Sequence, residues 1–192
     1  MRLLIAGTGA SGALYLQRLL NYLEGKGHEL HLVLSTYAKQ VIAQEIGALK
    51  IPEGTYQYQE NSMSAPFASG SALFDAMVII PCTMATVGRL SAGTSDSLIL
   101  RAADVFLKER RKLILVLRET PWNLIHARNS VTAIESGAIL LPAIPSFYSK
   151  PQTVEALVDT VVFRVLDQLG IYLPEAYRWR EPLPTLQRVE KE

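Results

Sequence analysis

Hydrophobic residues along this chain follow two alternating patterns, continuous runs typical of buried strands and a helical spacing of three or four residues. Residues 3–6 form the first apolar run and predict a buried strand. Leucines then recur at helical spacing, which predicts an amphipathic helix: Leu16, Leu19, Leu20 and Leu23. The chain is therefore expected to begin with a strand, a tight turn and a helix.

The same alternation continues almost to the end of the chain. Further strands are predicted at about 28–35, 76–81, 112–119 and 138–145. The helices between them are predicted across 97–111 and after the caps Ser35-Thr36, Asn123 and Thr153. Alternating strands and helices predict a parallel sheet that is covered by helices on both faces.

Two segments depart from this alternation. Residues 47–72 are rich in Gly, Pro, Ser and Tyr and show little periodicity. We interpret them mainly as an active-site insertion, with room for one short strand. Residues 171–192 carry prolines among aromatic and charged residues. They are predicted to form a C-terminal tail that packs on a neighbouring subunit.

The turn after the first strand carries glycines at positions 7, 9 and 12, which is the spacing of the G-x-G-x-x-G motif. The N–H groups of the following helix are expected to point out of the carboxyl end of the strand. Such groups suit a phosphate or another anion. The motif therefore favours an anionic ligand, such as a nucleotide or a flavin. A tight turn without a ligand is the alternative.

Polar clusters lie at the ends of four predicted strands: residues 9–11, Ser35-Thr36, residues 82–86 and residues 118–120. Ligands of parallel sheets bind at the carboxyl ends of the strands, so these clusters are expected to converge on one pocket. Two simpler interpretations stay open. Arg118 and Glu119 also suit an ordinary solvated strand end, and Thr83 and Thr86 also suit plain helix capping.

Four further cationic or aromatic positions are candidates for chemistry. Arg101 and Lys108 share a predicted helix face with Asp104, where a surface ion pair is the simpler interpretation. Tyr148 follows an apolar strand in a predicted loop. Arg164 interrupts an apolar helix pattern, and a cation in that position requires an anionic partner.

Composition limits the classes of function. A chain of 192 residues with 49% hydrophobic and 19% charged residues suits one compact domain with subunit interfaces. A net charge of +1 gives no general attraction to nucleic acid or acidic membranes. The single cysteine excludes an intrachain disulfide, and the three histidines show no metal spacing, so no metal is expected. Neither a signal peptide nor a membrane-spanning run is recognised, and a cytoplasmic location is expected.

Five segments together resemble the flavin prenyltransferase, or UbiX-like, family: TGASGA, SAPFASGS, PCTMATVGRLSAG, RAADVFLKERRKLILVLRETP and GAILLPAIPSFYSKPQT. The resemblance extends from residue 3 to about residue 180. It implies a Rossmann-like three-layer α/β/α flavoprotein fold with a mostly parallel sheet, and a single FMN-binding domain over residues 1–170. It also implies a homododecamer that transfers a dimethylallyl group from dimethylallyl monophosphate to N5 and C6 of reduced FMN. A UbiD-type decarboxylase then receives the prenylated FMN.

The same resemblance assigns roles to individual residues. The implied FMN contacts are Gly9, Ala10, Ser11, Ser35, Thr83, Met84, Ala85, Thr86, Arg101 and Arg118. The implied contacts of the prenyl-phosphate donor are Ser69, Lys108, Tyr148, Arg164 and Trp179. The implied catalytic residues are Ser11, Glu45, Glu119 and Lys108. One departure is Met63, which stands where the family often has an aromatic residue.

Two functions of other classes were weighed against this one. A flavin-dependent cysteine decarboxylase of the same superfamily carries a P-A-S-A-N-T segment and a catalytic histidine. Here the corresponding segment reads PCTMATV, and the central insertion contains no histidine. A non-catalytic flavin-binding subunit of a decarboxylase complex would not need the donor residues, such as Lys108 and Arg164, that this chain retains.

Overall fold

A six-stranded parallel sheet forms the centre of the computed structural model, which describes residues 1–179. The strands are β1 (Arg2–Gly7), β2 (Glu29–Leu34), β3 (Tyr56–Tyr58), β4 (Ala76–Cys82), β5 (Lys112–Leu117) and β6 (Ile139–Pro142). Their spatial order is β3-β2-β1-β4-β5-β6, and each neighbouring pair is parallel. The order reverses between β1 and β4, which opens a crevice at the carboxyl ends of these strands.

Six helices cover the two faces of the sheet. They are α1 (Ala13–Leu23), α2 (Thr36–Glu45), α3 (Met84–Ser91), α4 (Leu98–Lys108), α5 (Leu124–Glu135) and α6 (Val154–Leu169), with a short 3-10 turn at Pro66–Ala68. Helices α1, α2 and α6 contribute to the apolar core on one face. Helices α3, α4, α5 and the 3-10 turn contribute to the core on the other face. The predicted three-layer α/β/α architecture is confirmed.

Side chains of the central strands alternate between these two cores. In β5, Leu113 and Leu115 lie in the core beneath α4, whereas Ile114 and Val116 lie in the core beneath α6. Strands that are buried on both faces read as continuous apolar runs, and every residue of β4 is buried. The apolar runs of the sequence therefore correspond to strands in the middle of the molecule.

The predicted helix starts agree with the structure. Ser35, Asn123 and Thr153 each accept a hydrogen bond from the backbone N–H three residues later. Gly170 closes α6 in the left-handed conformation, with a φ of 80°. These local interactions depend on residues close in sequence, which explains why the pattern alone located them.

Two segments differ from the expectation or refine it. The strand expected over 112–119 ends at Leu117, whose carbonyl accepts from Ala143 at the end of the β6 pairing. The insertion at 47–72 contains β3, which extends the sheet beside β2. No described helix combines the length and the hydrophobicity that a bilayer crossing requires.

The described part of the predicted tail, residues 171–179, lies against its own chain. Ile171 and Leu173 pack on the core that includes α6, and Ala176 is buried. Packing of the tail on a neighbouring subunit stays a prediction, and residues 180–192 lie outside the described part of the chain.

The cap of α6 can be tested by substitution. Thr153→Ala removes the oxygen that accepts from Ala156 N at 3.1 Å, and loss of such a cap costs about 0.5–2 kcal/mol. Thr153→Ser keeps the oxygen and should retain most of the stability. Thermal denaturation at one fixed protein concentration measures both variants. Equal losses in the two variants would show that the hydroxyl does not support α6.

Candidate functional site

The glycine turn after β1 packs tightly against the start of α2. A Cβ atom built on Gly9 would lie 2.4 Å from the Cβ of Tyr37, so no larger residue fits without movement. Gly12 precedes α1 with a φ of 118°, a conformation that side chains disfavour. The glycines at these two positions therefore follow from close approach and from backbone conformation.

The carboxylate of Glu45, at the end of α2, caps the N-terminus of α1. Its Oε2 accepts from Gly12 N at 2.9 Å and from Ala13 N at 2.8 Å. The sequence predicted that these N–H groups would be available to a phosphate. In the single chain that prediction is wrong, because an acidic side chain 33 residues away already occupies them.

Glu45 also organises the polar residues around it. Desolvation raises the pKa of its carboxyl group. Hydrogen bonds from Ser11, Gly12 and Ala13 and the charge of Arg118 lower that pKa by more, so the net shift is downward. Glu45 is therefore ionised at neutral pH. Three implied site residues, Ser11, Glu45 and Arg118, lie together in this cluster.

Tyr15 belongs to the same neighbourhood and was not singled out from the sequence. Burial raises the pKa of its hydroxyl, and the charge of Arg118 partly opposes that shift. The phenol therefore stays protonated at neutral pH. Its position in the first turn of α1, three residues after Gly12, is the signal that could have identified it.

A second cluster lies where β1, β2 and β4 end. A cavity of about 300 Å³ is lined by residues of three strand ends, among them Thr8, Gly9, Ser35, Thr36, Thr83, Ala85 and Thr86. Thr8 Oγ1 accepts from Thr83 N at 2.9 Å, which joins the first and third strand ends directly. Arg118 N donates to Cys82 O at 3.1 Å and joins the fourth. The structure thus brings the four polar clusters to one edge of the sheet.

The hydroxyls of this second cluster are already engaged with one another. Thr83 Oγ1 lies 2.8 Å from Thr86 Oγ1 and accepts from Thr86 N at 3.1 Å. Ser35 accepts from Ala38 N at 3.0 Å. The simpler interpretation of Thr83 as a helix cap is thus correct for the chain alone. It does not exclude a ligand, because each hydroxyl keeps further hydrogen-bonding capacity.

Three implied residues form a group beside the 3-10 turn, which we call the α4 group: Ser69, Arg101 and Lys108. Arg101 donates from Nε to Ala68 O at 3.0 Å and pairs with Asp104 at 3.3 Å, as the surface interpretation predicted. Lys108 pairs with Glu109, and a Cβ atom on Gly70 would lie 2.7 Å from its Nζ. Among the described residues, no hydrogen bond or ion pair joins Arg101 to the strand-end cluster.

The other donor residues form a separate group, the α6 group: Tyr148, Arg164 and Trp179. They line a cavity of about 1070 Å³ between α6, the loop after β6 and the C-terminal segment. The rings of Tyr148 and Trp179 meet edge to face, with centroids 5.1 Å apart. Arg164 is exposed on α6 and pairs with Asp167 at 2.6 Å.

The α4 group and the α6 group cannot meet within one chain. Helix α4 packs on one face of the sheet and α6 packs on the opposite face.

The remaining implied residues belong to neither group. Glu119 is exposed and accepts from Thr120 N at 3.1 Å, whereas Met84 is buried. Met63 is 45% exposed in this chain.

The strand ends, the α4 group and the α6 group carry cationic and hydroxyl side chains, which can contact an anionic ligand. In the described part of the chain, no group of three His, Cys, Asp or Glu side chains could hold a metal.

Comparison with known proteins gives consistent results. A family model described as Flavoprotein matches residues 1–166. A probable UbiX-like flavin prenyltransferase of Bacillus subtilis is 45% identical over 182 residues, which covers 93% of this chain and 89% of that protein. The crystal structure of AnUbiX with FMN and dimethylallyl pyrophosphate superposes with a TM-score of 0.87 at 39% identity, covering 94% of this chain and 97% of that one. A dodecameric FMN-dependent UbiX-like decarboxylase from Escherichia coli O157:H7 gives 0.86 at 39% identity, covering 94% and 100%.

The Glu45 cap predicts a specific pH dependence of stability. The pKa of Glu45 is lowered from its ordinary value of 4.5, so its contribution to stability is complete above that pH. The contribution is lost as the pH falls through the lower value of the folded state. Glu45→Gln keeps an acceptor but loses the charge. The stability difference between wild type and Glu45→Gln should therefore be largest near neutral pH and shrink in acid.

Thermal denaturation between about pH 7 and about pH 3 measures this difference, since that range spans the ordinary titration of a glutamate. Glu53→Gln, at an exposed loop carboxylate, serves as the matched control. A difference for Glu45→Gln that stays constant through the acid range would contradict the cap as described.

Proposed function

This chain belongs to the UbiX-like flavin prenyltransferase family, and we propose that it joins a dimethylallyl group from dimethylallyl monophosphate to N5 and C6 of reduced FMN. The observation that carries the proposal is that four polar strand ends lie at one edge of the sheet, where three of them line the crevice between β1 and β4. A flavin nucleotide suits such an edge because it combines an anionic phosphate with a flat apolar ring.

The residues around this crevice fit FMN. The backbone N–H groups of Ser35, Thr83 and Thr86 donate within the chain, so their hydroxyls are the groups that can contact the phosphate and ribityl chain. Gly9 lines the crevice and Ser11 is exposed beside it, whereas Ala10 is buried. Arg118 supplies a positive charge at the end of β5. Bound FMN supplies the two nucleophilic ring positions that accept the prenyl group.

The cationic residues are suited to stabilise the departing phosphate. When the C–O bond of the donor breaks, negative charge grows on the phosphate oxygens, and positioned cations lower the free energy of that state. Arg164 offers a planar guanidinium that matches two phosphate oxygens. Lys108 and the hydroxyls of Ser69 and Tyr148 add further hydrogen-bond donors for the phosphate. This division assigns Arg164 to the prenyl-phosphate substrate and the strand ends to FMN.

Glu45 and Ser11 are suited to manage a proton near the flavin. Glu45 is ionised and accepts a hydrogen bond from Ser11, so the hydroxyl of Ser11 can pass a proton to it. Glu119, exposed at the adjacent strand end, is proposed as the second carboxylate that takes part. Tyr15 stays protonated and is available as a donor beside Arg118.

The site requires more than one chain. Since the α4 group and the α6 group lie on opposite faces of the sheet, one donor molecule can contact both only if different subunits supply them. A homo-oligomer, which we propose to be a dodecamer, meets this requirement. We further propose that a UbiD-type decarboxylase receives the product. The cytoplasmic location expected from the sequence stays a prediction.

A direct assay tests the reaction. Reduced FMN, the protein and either dimethylallyl monophosphate or dimethylallyl pyrophosphate are incubated together, and the flavin is analysed by mass spectrometry. We expect the mass of FMN to increase by one dimethylallyl group, with the monophosphate as the better donor. An unchanged flavin with both donors would contradict prenyl transfer and leave flavin binding as the remaining function.

Mixing experiments test the shared site. Lys108→Ala and Arg164→Ala should each lower prenyl transfer by about one to two orders of magnitude, because each removes a charge-assisted contact to the phosphate. FMN binding should barely change in either variant. In hetero-oligomers assembled from equal amounts of the two variants, about one site in four combines an intact Lys108 with an intact Arg164. Activity should therefore recover to roughly a quarter of the wild-type value.

The matched control mixes Arg164→Ala with Tyr148→Phe. These residues belong to the same group on the same chain, so no mixed assembly contains a site in which both are intact. That mixture should stay as inactive as its components. Failure of the Lys108 and Arg164 variants to complement each other would show that one chain supplies the whole donor site.

A further inference from the structure

One buried carboxylate on α6 holds two arginine side chains of the large cavity. Asp167 has only 8% of its side chain exposed. Arg164 donates from Nη1 to Oδ2 at 2.6 Å. Arg178 donates from Nη1 to Oδ2 at 2.6 Å and from Nη2 to Oδ1 at 2.7 Å. The carboxylate therefore makes a two-point contact with Arg178 and a single contact with Arg164.

The two arginines come from different parts of the chain. Arg164 lies on α6 itself, one turn before Asp167, and its side chain is 62% exposed. Arg178 lies in the segment after α6, and the next residue is Trp179, whose ring meets Tyr148. Asp167 thus contacts both the exposed guanidinium of Arg164 and the segment that carries Trp179.

Asp159, two turns earlier on the same helix, provides a natural comparison. It is also buried, and it accepts from Arg18 Nε at 2.7 Å and from Tyr22 Oη at 2.8 Å. Both partners belong to α1, so this cluster connects two helices of the same layer. Two buried carboxylates of similar environment therefore have different partners. Only Asp167 reaches residues of the α6 group.

We propose that Asp167 is a positioning residue for the prenyl-phosphate donor, an inference that rests on the proposed function. Its bond to Nη1 fixes the direction of the Arg164 guanidinium. Nε and Nη2 of Arg164 form no hydrogen bond within residues 1–179, so they can donate to a phosphate. Its bond to Arg178 keeps Trp179 beside Tyr148, where the two rings form an apolar wall for the prenyl chain.

Removal of the Asp167 charge has two opposing effects on donor binding. It removes a negative charge that competes with the phosphate for Arg164, and it also releases both arginines. The competing charge matters less, because Arg164 is mostly exposed and solvent and salt screen its interactions. An asparagine cannot accept two parallel N–H bonds from Arg178, so the positioning is lost. The net effect is weaker donor binding.

Asp167→Asn tests this assignment in the assembled enzyme. The KM for dimethylallyl monophosphate should rise about tenfold, the change expected for one lost charge-assisted contact. The kcat should change much less, and the Kd for FMN should stay the same. The chain has two tryptophans. Trp179 is 63% exposed. In a Trp122→Phe background, the anisotropy of Trp179 emission therefore reports whether the wall is held, and Asp167→Asn should lower it because the released ring rotates more freely.

Two variants separate positioning from general stability. Asp159→Asn removes a carboxylate of the same cavity that contacts α1, and it should lower the melting temperature but leave the anisotropy of Trp179 emission unchanged. Asp167→Glu keeps the charge and should restore part of the donor affinity. A donor KM that is unchanged or lower in Asp167→Asn would overturn the proposal. If wild type transfers no prenyl group, the proposed function fails, and an unchanged anisotropy of Trp179 emission in Asp167→Asn then overturns the positioning role independently.

Discussion

Burial of the parallel sheet on both faces is the constraint on which the rest of the molecule depends. Every residue of β4 is inaccessible to solvent, and its side chains enter two separate apolar cores. A polar ligand therefore cannot lie along the strands. Only the strand ends can present hydroxyls, N–H groups and charges, and the reversal of strand order between β1 and β4 determines where they open a crevice.

The same layering separates the two groups of residues that are proposed to bind the prenyl-phosphate donor. A helix after β4 and a helix after β6 cover opposite faces, so Lys108 and Arg164 are kept apart by the thickness of the sheet. Assembly of several chains resolves this separation without any change in the fold. In the proposed site the oligomer is part of the chemistry, since a surface residue of one chain would complete the pocket of another.

Local features of this structure were predictable from the sequence, and long-range contacts were not. Thr153 caps α6 through a residue three positions away, and apolar runs identify strands that are buried on both sides. The contact of Glu45 with Gly12 joins residues 33 positions apart and depends on how α2 returns towards α1. Strand β3 has only three residues, too few for a period to be visible. The separation of Lys108 from Arg164 depends on which face each helix covers, and no local spacing encodes that choice.

A site that is completed by assembly places a demand on each separate chain. Its exposed cations must keep their direction before the partner and the donor arrive, because a freely rotating guanidinium loses conformational entropy when it binds. Asp167 meets this demand within one chain. Its carboxylate is buried, so exchanging its contacts with the two arginines for contacts with water costs free energy. Glu45 does the same at the flavin edge, where it orders the turn that carries Ser11. In both places a carboxylate of the protein holds, in the single chain, the groups that are proposed to act on anionic substrates.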